Sequence, residues 1–257
     1  KTAMTREITQ RYLMRAAMAG IIVGIFYTAY YSVVAGFDAI APEGQWHVVG
    51  KFLGASVFGW ALVFIYFSKS ELLTSNMMIA TIGVYYRRTS MRKALGLLGL
   101  CLLGNFLGGL FIALLVAGTS LLNGHPGDAM QEAVDAKLGY VTSGATGLTD
   151  LFLRAVLCNF MINLAMLLIY NGTIHSDMLK ALVMVMSVFV FAFLAFEHSV
   201  ANTVLFLEHG LNHGIPVWAA VANVAVALLG NFVGGGLLIG LYYAYVNDES
   251  RYLRRRD

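Results

Sequence analysis

Six apolar stretches dominate the chain, and short polar segments separate them. The stretches cover about residues 15–37, 50–85, 94–122, 148–170, 178–207 and 215–246. Each reaches the ~20 residues that an α-helix needs to cross a bilayer. The pattern therefore predicts an all-α polytopic membrane protein with six transmembrane helices.

The second and fifth stretches differ from the others because polar residues interrupt them well inside their length. The interruptions read SKSELLTSN (68–76) and FEHSVAN (196–202). Unpaired backbone N–H and C=O groups are tolerated at membrane depth only where they are buried in protein or line a polar cavity. Helices 2 and 5 are therefore predicted to be broken, with the two breaks beside a cavity.

Two pairs of short motifs repeat along the chain. ELLTSN (71–76) matches EHSVAN (197–202), and GNFLGG (104–109) matches GNFVGG (230–235). In each half, the glutamate of the first motif precedes the asparagine of the second by 34 residues. Each half would hold three helices, and an odd number reverses the direction of the chain. The repeat therefore predicts two inverted three-helix halves, with a site at their interface near the membrane midplane.

These features define one transmembrane domain over residues 1–257. The first repeat is expected at about 12–122 and the second at about 148–247, joined by an outer loop at about 123–147 and followed by a cytoplasmic tail at 248–257.

Composition and charge agree with a membrane protein. The chain is 59% hydrophobic and 12% charged, whereas soluble domains carry about 25% charged residues. Most of the 17 Lys and Arg flank one side of the predicted spans, so the positive-inside rule places both termini in the cytoplasm. These cations are Lys1, Arg6, Arg11, Arg15, Arg87, Arg88, Arg92, Lys93, Lys180, Arg251, Arg254, Arg255 and Arg256. The net charge of +3 therefore needs no nucleic-acid partner.

The motifs resemble the formate/nitrite transporter family. The resemblance rests on ELLTSN, LRAVLCN (153–159), FEHSVAN and GNFVGGGLLIGLYY (230–243), and it extends over nearly the whole chain. It implies an aquaporin-like protomer in a homopentamer in a prokaryotic-type inner membrane. It also implies a pH-dependent, proton-coupled pathway for formate, nitrite, lactate, acetate or hydrosulfide, with membrane lipid as surroundings and no cofactor.

The resemblance assigns roles to individual residues. It makes His198 the central pore histidine, with Thr74 facing it and Asn159 nearby on the fourth span. The implied outer constriction comprises Phe58, Leu62 and Phe191, and the inner one Leu72, Leu73 and Ile162. The polar residues that support the broken helices are expected to be Glu71, Asn76, Glu197, Ser199 and Asn202.

Lysine placement departs from the family pattern. Family members usually carry a lysine in the outer vestibule, and the matching position here is Ser143; Lys137 lies six residues earlier. In contrast, Lys69 occupies a position where the family usually has a small residue. If the helix is regular, Lys69 shares the face of Phe58 and Leu62 and lies about 10 Å deeper than Leu62. It is then expected to point into the pore near His198, with Glu71 or Glu197 as an ion-pair partner.

Alternative functions are an aquaporin-like pore for a neutral solute and a membrane-embedded enzyme with Glu197 and His198 as acid and base. No paired Asn-Pro-Ala motif supports the first, and no further intramembrane ligand supports the second. His209 and His213 have helical spacing for a metal site, but Gly210 and Gly214 favour a loop there. The chain has no nucleotide-binding motif, which argues against an ATP-driven pump.

Overall fold

The computed structural model describes residues 6–40 and 44–248, and within those ranges it contains helices and no strand. The all-α prediction is therefore confirmed for this part of the chain. Most of the predicted tail (248–257) and the terminal cations Lys1, Arg251, Arg254, Arg255 and Arg256 lie outside the described residues.

Ten α-helices and one π-helical segment follow one another in the described ranges. They are α1 (Arg6–Ile40), α2 (His47–Phe67), α3 (Leu73–Tyr85), α4 (Met91–Ala117), α5 (His125–Thr142), α6 (Gly144–Tyr170), α7 (Asp177–Phe193), α8 (Ser199–His213), α9 (Val217–Asn231), the π segment (Phe232–Leu241) and α10 (Tyr242–Val246).

Five continuous helical stretches among the described residues are long and apolar enough to cross a membrane, and the fifth joins α9, the π segment and α10. They are Glu7–Ile40, His47–Phe67, Met91–Ala117, Gly144–Tyr170 and Val217–Val246. Helices α7 and α8 have 17 and 15 residues and together cover the fifth apolar stretch. Each is too short to span alone, because a bilayer needs about 20 residues in one helix.

The two interruptions form the same backbone turn. After α2 and after α7 the chain passes through a left-handed residue, Lys69 (φ 57°) and Ala195 (φ 52°). Three residues later, Leu72 and His198 are extended and precede α3 and α8. Left-handed conformations cost energy for residues with a Cβ and persist only where the surroundings impose them. The turn is thus built twice, 126 residues apart.

Asn105 satisfies the backbone groups that the first break leaves unpaired. Its Oδ1 accepts from the amide of Leu73 at 3.0 Å, and its Nδ2 donates to the carbonyl of Glu71 at 2.9 Å. The same Nδ2 donates to the carbonyl of Ala16 at 2.8 Å, which fastens α1 to the break.

Asn231 makes the corresponding three bonds at the second break. Its Oδ1 accepts from the amide of Ser199 at 2.8 Å, and its Nδ2 donates to the carbonyls of Glu197 at 2.9 Å and Ala155 at 2.8 Å. Buried backbone groups must be paired. This requirement explains why the same 34-residue spacing from glutamate to asparagine occurs in both halves.

Glycines allow two helix pairs to approach closely. A Cβ at Gly108 in α4 would lie 1.8 Å from the carbonyl oxygen of Ala17 in α1, and one at Gly234 would lie 2.1 Å from that of Val156 in α6. Both distances are far inside van der Waals contact. Small residues at these positions are therefore required for packing, as at many membrane helix interfaces.

Gly108→Ala is expected to destabilise the protein by about 1–3 kcal/mol, since α1 or α4 must move to admit the methyl group. A thermal unfolding series in detergent would measure the loss. The matched control is Gly96→Ala in the same helix, where a Cβ meets nothing within 4 Å. Equal melting temperatures for the two variants would contradict the packing argument.

The segment expected to be an outer loop contains helix α5. This helix packs against α1, α6, α8 and α9 and buries Met130, Val134, Lys137 and Leu138. Residues spaced by three and four share one face of a helix. As a result α5 presents its buried lysine to the interior of the protein.

Candidate functional site

Three cavities lie in a row through the protein. The first, called the Lys137 vestibule, has a volume of about 260 Å³ and is lined by parts of α1, α2, α5 and α7 and by the break before α8. The second, the central cavity, measures about 20 Å³. The third, the Lys69 vestibule, measures about 510 Å³ and is lined by parts of α1, α2, α3, α6 and α7 and by the break before α3.

Apolar side chains separate neighbouring cavities. Phe58 and Phe191 line both the Lys137 vestibule and the central cavity, and their rings meet edge to face with centroids 6.1 Å apart. Leu62, Ile65 and Leu72 line both the central cavity and the Lys69 vestibule. An ion that moved along this row would meet one narrow apolar contact on each side of the central cavity.

His198 lies at the first of these borders, where it lines the Lys137 vestibule and the central cavity. Its ring is nearly parallel to that of Phe191, with centroids 5.8 Å apart. The break positions His198 as the N-cap of α8, and its Nδ1 lies 3.1 Å from the amide nitrogen of Ala201.

That contact determines which nitrogen of the neutral imidazole carries the proton. A backbone N–H only donates, so Nδ1 of His198 must be the acceptor. The proton of the neutral ring is therefore on Nε2, which lies 3.1 Å from Oγ1 of Thr74. Protonation of Nδ1 would break the bond to Ala201 and uncap α8, which favours the neutral ring.

Thr74 is held by two asparagines of α6. Its carbonyl accepts from Nδ2 of Asn159 at 3.2 Å and from Nδ2 of Asn163 at 3.0 Å, and Asn159 also donates to the carbonyl of Asn231 at 2.7 Å. All three side chains are fully buried. Asn159 lines none of the three cavities; its bonds join α6 to the start of α3 and to the end of α9.

Lys137 forms a buried ion pair with Glu197 in the wall of the first vestibule. Its Nζ lies 2.9 Å from Oε1 of Glu197, and the two residues are only 8% and 1% exposed. Burial alone would lower the pKa of the Lys137 ammonium, but attraction by Glu197 outweighs it and raises the pKa above its ordinary value. Lys137 therefore stays charged at physiological pH.

Two asparagines close a ring around this pair. Nδ2 of Asn202 donates to Oε2 of Glu197 at 2.6 Å and to Oδ1 of Asn223 at 2.8 Å. Nδ2 of Asn223 donates to the carbonyl of Lys137 at 2.8 Å. The ring joins α5, α8 and α9 to the second break and fixes the ammonium group in position.

Comparison with known proteins identifies this architecture. A model of the formate/nitrite transporter family matches residues 2–245. The chain belongs to the formate/nitrite transporter family. It is therefore a multi-pass membrane protein of a family of transporters and channels, as its motifs predict.

Individual relatives agree with this assignment. The nitrite transporter NirC of Salmonella typhimurium is 30% identical over 93% of this chain and 84% of its own length. A solved structure described as an FNT family ion channel is 26% identical and superposes with a TM-score of 0.78, covering 93% of this chain and 90% of that chain. A pentameric formate channel with formate bound has a TM-score of 0.74 over 95% of this chain and 99% of that chain; at 20% identity it supports the fold alone.

The expectation that Lys69 lies near His198 is wrong, although its side chain does line one of the three cavities. It assumed that α2 stays regular, but α2 ends at Phe67, and Lys69 takes a left-handed conformation two residues later. Its side chain is exposed and lines the vestibule on the other side of the central cavity. Glu197, a suggested partner, pairs with Lys137 instead.

The expected absence of a vestibule lysine is also wrong. Counting back from Asn159 pointed to Ser143, but Ser143 caps α5, and its Oγ donates to the carbonyl of Gly139 at 2.7 Å. Lys137 lies nearly two turns earlier on α5 and reaches the vestibule. Because the segment forms a helix, the side chain that faces inward is set by helical periodicity and not by distance from the next span.

The implied constriction residues are distributed differently from the expectation. Phe58 and Phe191 meet at the first border, as the family pattern implies, whereas Leu62 lies at the second border. Ile162 lines the central cavity, and Leu73 lines none of the three cavities. Leu73 is the first residue of α3, so it turns into the core beside Asn105.

The polar residues expected to support the breaks lie beside them. Nδ2 of Asn76 donates to Oε2 of Glu71 at 3.1 Å in the first half, as Asn202 does to Glu197 in the second. Ser199 contributes its backbone, because its amide binds Asn231 and its Oγ has no hydrogen-bond partner among the described residues.

The sequence interpretation missed three tyrosines, Tyr27, Tyr30 and Tyr31, which line the Lys137 vestibule. The ring of Tyr27 stacks on Phe58 with centroids 4.8 Å apart. Their spacing by three and four residues was the available signal, since it places all three on one face of α1.

The expected loop at His209 and His213 is a further error. Helix α8 continues to His213, and the two imidazole rings stack with centroids 4.7 Å apart. Within residues 6–40 and 44–248, no three His, Cys, Asp or Glu side chains come together as a metal site.

Proposed function

We propose that the chain forms a transmembrane pathway for small monovalent anions or their conjugate weak acids, with formate and nitrite as the first candidates and lactate, acetate and hydrosulfide as further ones. The observation that carries the proposal is the row of three cavities, with His198 at one border and a buried lysine in the adjoining vestibule. Family membership supports the same substrate class.

The proposed topology has six spans, with α2–α3 and α7–α8 as broken ones and both termini in the cytoplasm of a prokaryotic-type cell. Arg15, Lys69 and Lys180 line the Lys69 vestibule, so the positive-inside rule assigns that vestibule to the cytoplasmic face. The Lys137 vestibule then opens on the outer face.

The matching bonds of Asn105 and Asn231 support an inverted repeat with an aquaporin-like protomer. We further propose a homopentamer, by analogy with the pentameric formate channel. Large apolar side chains are exposed along α4, among them Leu107, Phe111, Leu114 and Leu115. Lipid and neighbouring subunits would cover such a surface.

Lys137 would attract the anion to the outer vestibule. Because Lys137 pairs with Glu197, its attraction for an anion is weaker than that of an unpaired ammonium group, which would let the anion leave again. An anion at the Phe58–Phe191 contact loses water, and burial favours the neutral form of an acid. The substrate would therefore take up a proton as it leaves the vestibule.

His198 would assist without giving up its own proton. Its Nδ1 is occupied by the amide of Ala201, and its Nε2–H is directed at Thr74. The ring thus supplies a fixed dipole beside the pathway, and water in the vestibule supplies the proton. Fixed dipoles of this kind lower the energy of a charge without reorganisation.

The test is uptake of labelled solutes into proteoliposomes that contain the purified protein, with protein-free liposomes as the control for leakage. Formate and nitrite are expected to enter at least about 10-fold faster than in the control, while sulfate and glycerol do not. Rapid entry of glycerol would favour a neutral-solute pore. Rates equal to the control for every anion would contradict the proposal.

A further inference from the structure

Lys69 lies at the left-handed position of the first break, where the second break has a residue without charge. Its counterpart at the second break, 126 residues later, is Ala195, which has the same left-handed backbone and lines the Lys137 vestibule. The outer vestibule has its buried ammonium group on α5, at Lys137, and Lys51 of α2 also lines it. The cytoplasmic vestibule is not lined by α5, and it receives an ammonium group from the turn itself.

The cations of this vestibule are only partly neutralised. Lys180 pairs with Asp177 at 2.8 Å, and the Glu71 carboxylate accepts from Asn76. Arg15 and Lys69 are exposed, and neither makes a salt bridge within residues 6–40 and 44–248. The vestibule is therefore electropositive.

A buried hydroxyl and a helix terminus lie at the same wall. Ser75 is 7% exposed and lines the vestibule, and its Oγ has no hydrogen-bond partner among the described residues. It lies in the first turn of α3, the helix end that attracts anions. This unpaired hydroxyl in the wall of a cationic cavity is a donor that an acceptor from outside the chain would satisfy.

We propose that the Lys69 vestibule is a second anion-docking site, in which Lys69 and Arg15 attract the transported monovalent anion and Ser75 donates a hydrogen bond to it. The proposal rests on the proposed function and extends it to the cytoplasmic entrance. The anion would wait there, next to the Leu62 and Leu72 contact, before it enters the central cavity.

The expected contribution of Lys69 follows from Coulomb's law. One charge at a partly hydrated entrance changes the local anion concentration by roughly 3- to 10-fold, depending on the effective dielectric constant. The effect weakens as salt is added, because the Debye length is about 10 Å at 0.1 M. A passive pathway cannot alter the equilibrium distribution of the anion, so Lys69 cannot change the direction of net flux. Its effect should appear in the half-saturating anion concentration measured from the cytoplasmic side.

The experiment compares Lys69→Gln with Lys93→Gln in right-side-out and inverted membrane vesicles, with formate as the probe. Lys93 is an exposed lysine in the first turn of α4 that lines none of the three cavities. Lys69→Gln should raise the half-saturating formate concentration roughly 3- to 10-fold from the cytoplasmic side and leave the outer value within about twofold. Lys93→Gln should change neither, and Lys69→Glu should exceed Lys69→Gln.

Two outcomes would overturn the docking site. One is a Lys69→Gln variant that matches Lys93→Gln from both sides, and the other is an equal change on both sides. If the parent protein moves no formate or nitrite, the proposed function itself fails. That result is distinct from flux that is present but insensitive to Lys69.

Discussion

Replacing Lys137 by methionine is expected to destabilise the protein by about 3–5 kcal/mol, because Glu197 would remain as an unpaired buried carboxylate. Anion uptake from the outer side should fall at least about 10-fold, since the vestibule would lose the ammonium group of Lys137 and keep the Glu197 carboxylate, which repels anions. Thermal unfolding in detergent and formate uptake into proteoliposomes measure the two effects on one preparation.

A double variant separates stability from anion capture. In Lys137→Met with Glu197→Gln, the amide oxygen of the new glutamine can still accept from Asn202, and no buried charge is left. Stability should recover to within about 1–2 kcal/mol of the parent, whereas uptake should stay low. If uptake recovers together with stability, the ammonium group of Lys137 has only a structural role.

His198→Asn is expected to lower anion flux by about 10- to 100-fold at every pH and to leave the shape of the pH profile unchanged. Asparagine is a good N-cap, so it can accept the amide of Ala201 in place of Nδ1 and keep α8 folded. The reason for a uniform loss is that the imidazole supplies a dipole, while the proton comes from water.

Thr74→Val is the matched control for His198. It removes the partner of Nε2 and retains the imidazole, so a smaller loss with the same pH profile is expected. A pH profile that flattens or shifts in His198→Asn, but not in Thr74→Val, would mean that His198 itself donates the proton.

The positions of the two breaks were readable from the sequence. Polar clusters such as SKSELLTSN and FEHSVAN are too costly inside an apolar span unless the helix opens there. The structure ends α2 at Phe67 and α7 at Phe193, next to these clusters. Asn105 and Asn231 have the same physical reason. Each break leaves a backbone N–H and a backbone C=O unpaired, and one buried side-chain amide binds both.

The direction of side chains beyond a break was not readable. Helical periodicity predicts the direction of the Lys69 side chain only if α2 continues through it. Lys69 itself is left-handed, and its side chain therefore lies in the other vestibule. The role of Lys137 in the vestibule was missed because its segment was interpreted as a loop and is a helix. Its polar surroundings suggested a loop, whereas the spacing of Met130, Val134 and Leu138 gives α5 one buried face. Only tertiary packing shows which partner that face meets.

The most direct test of the central claim is to record formate uptake and internal pH together in proteoliposomes at a clamped membrane potential, after subtraction of the signal from protein-free liposomes. The account predicts one proton entering with each formate, with a rate that rises as the external pH falls and does not respond to the potential. Formate entry that is driven by the potential and leaves the internal pH unchanged would contradict it.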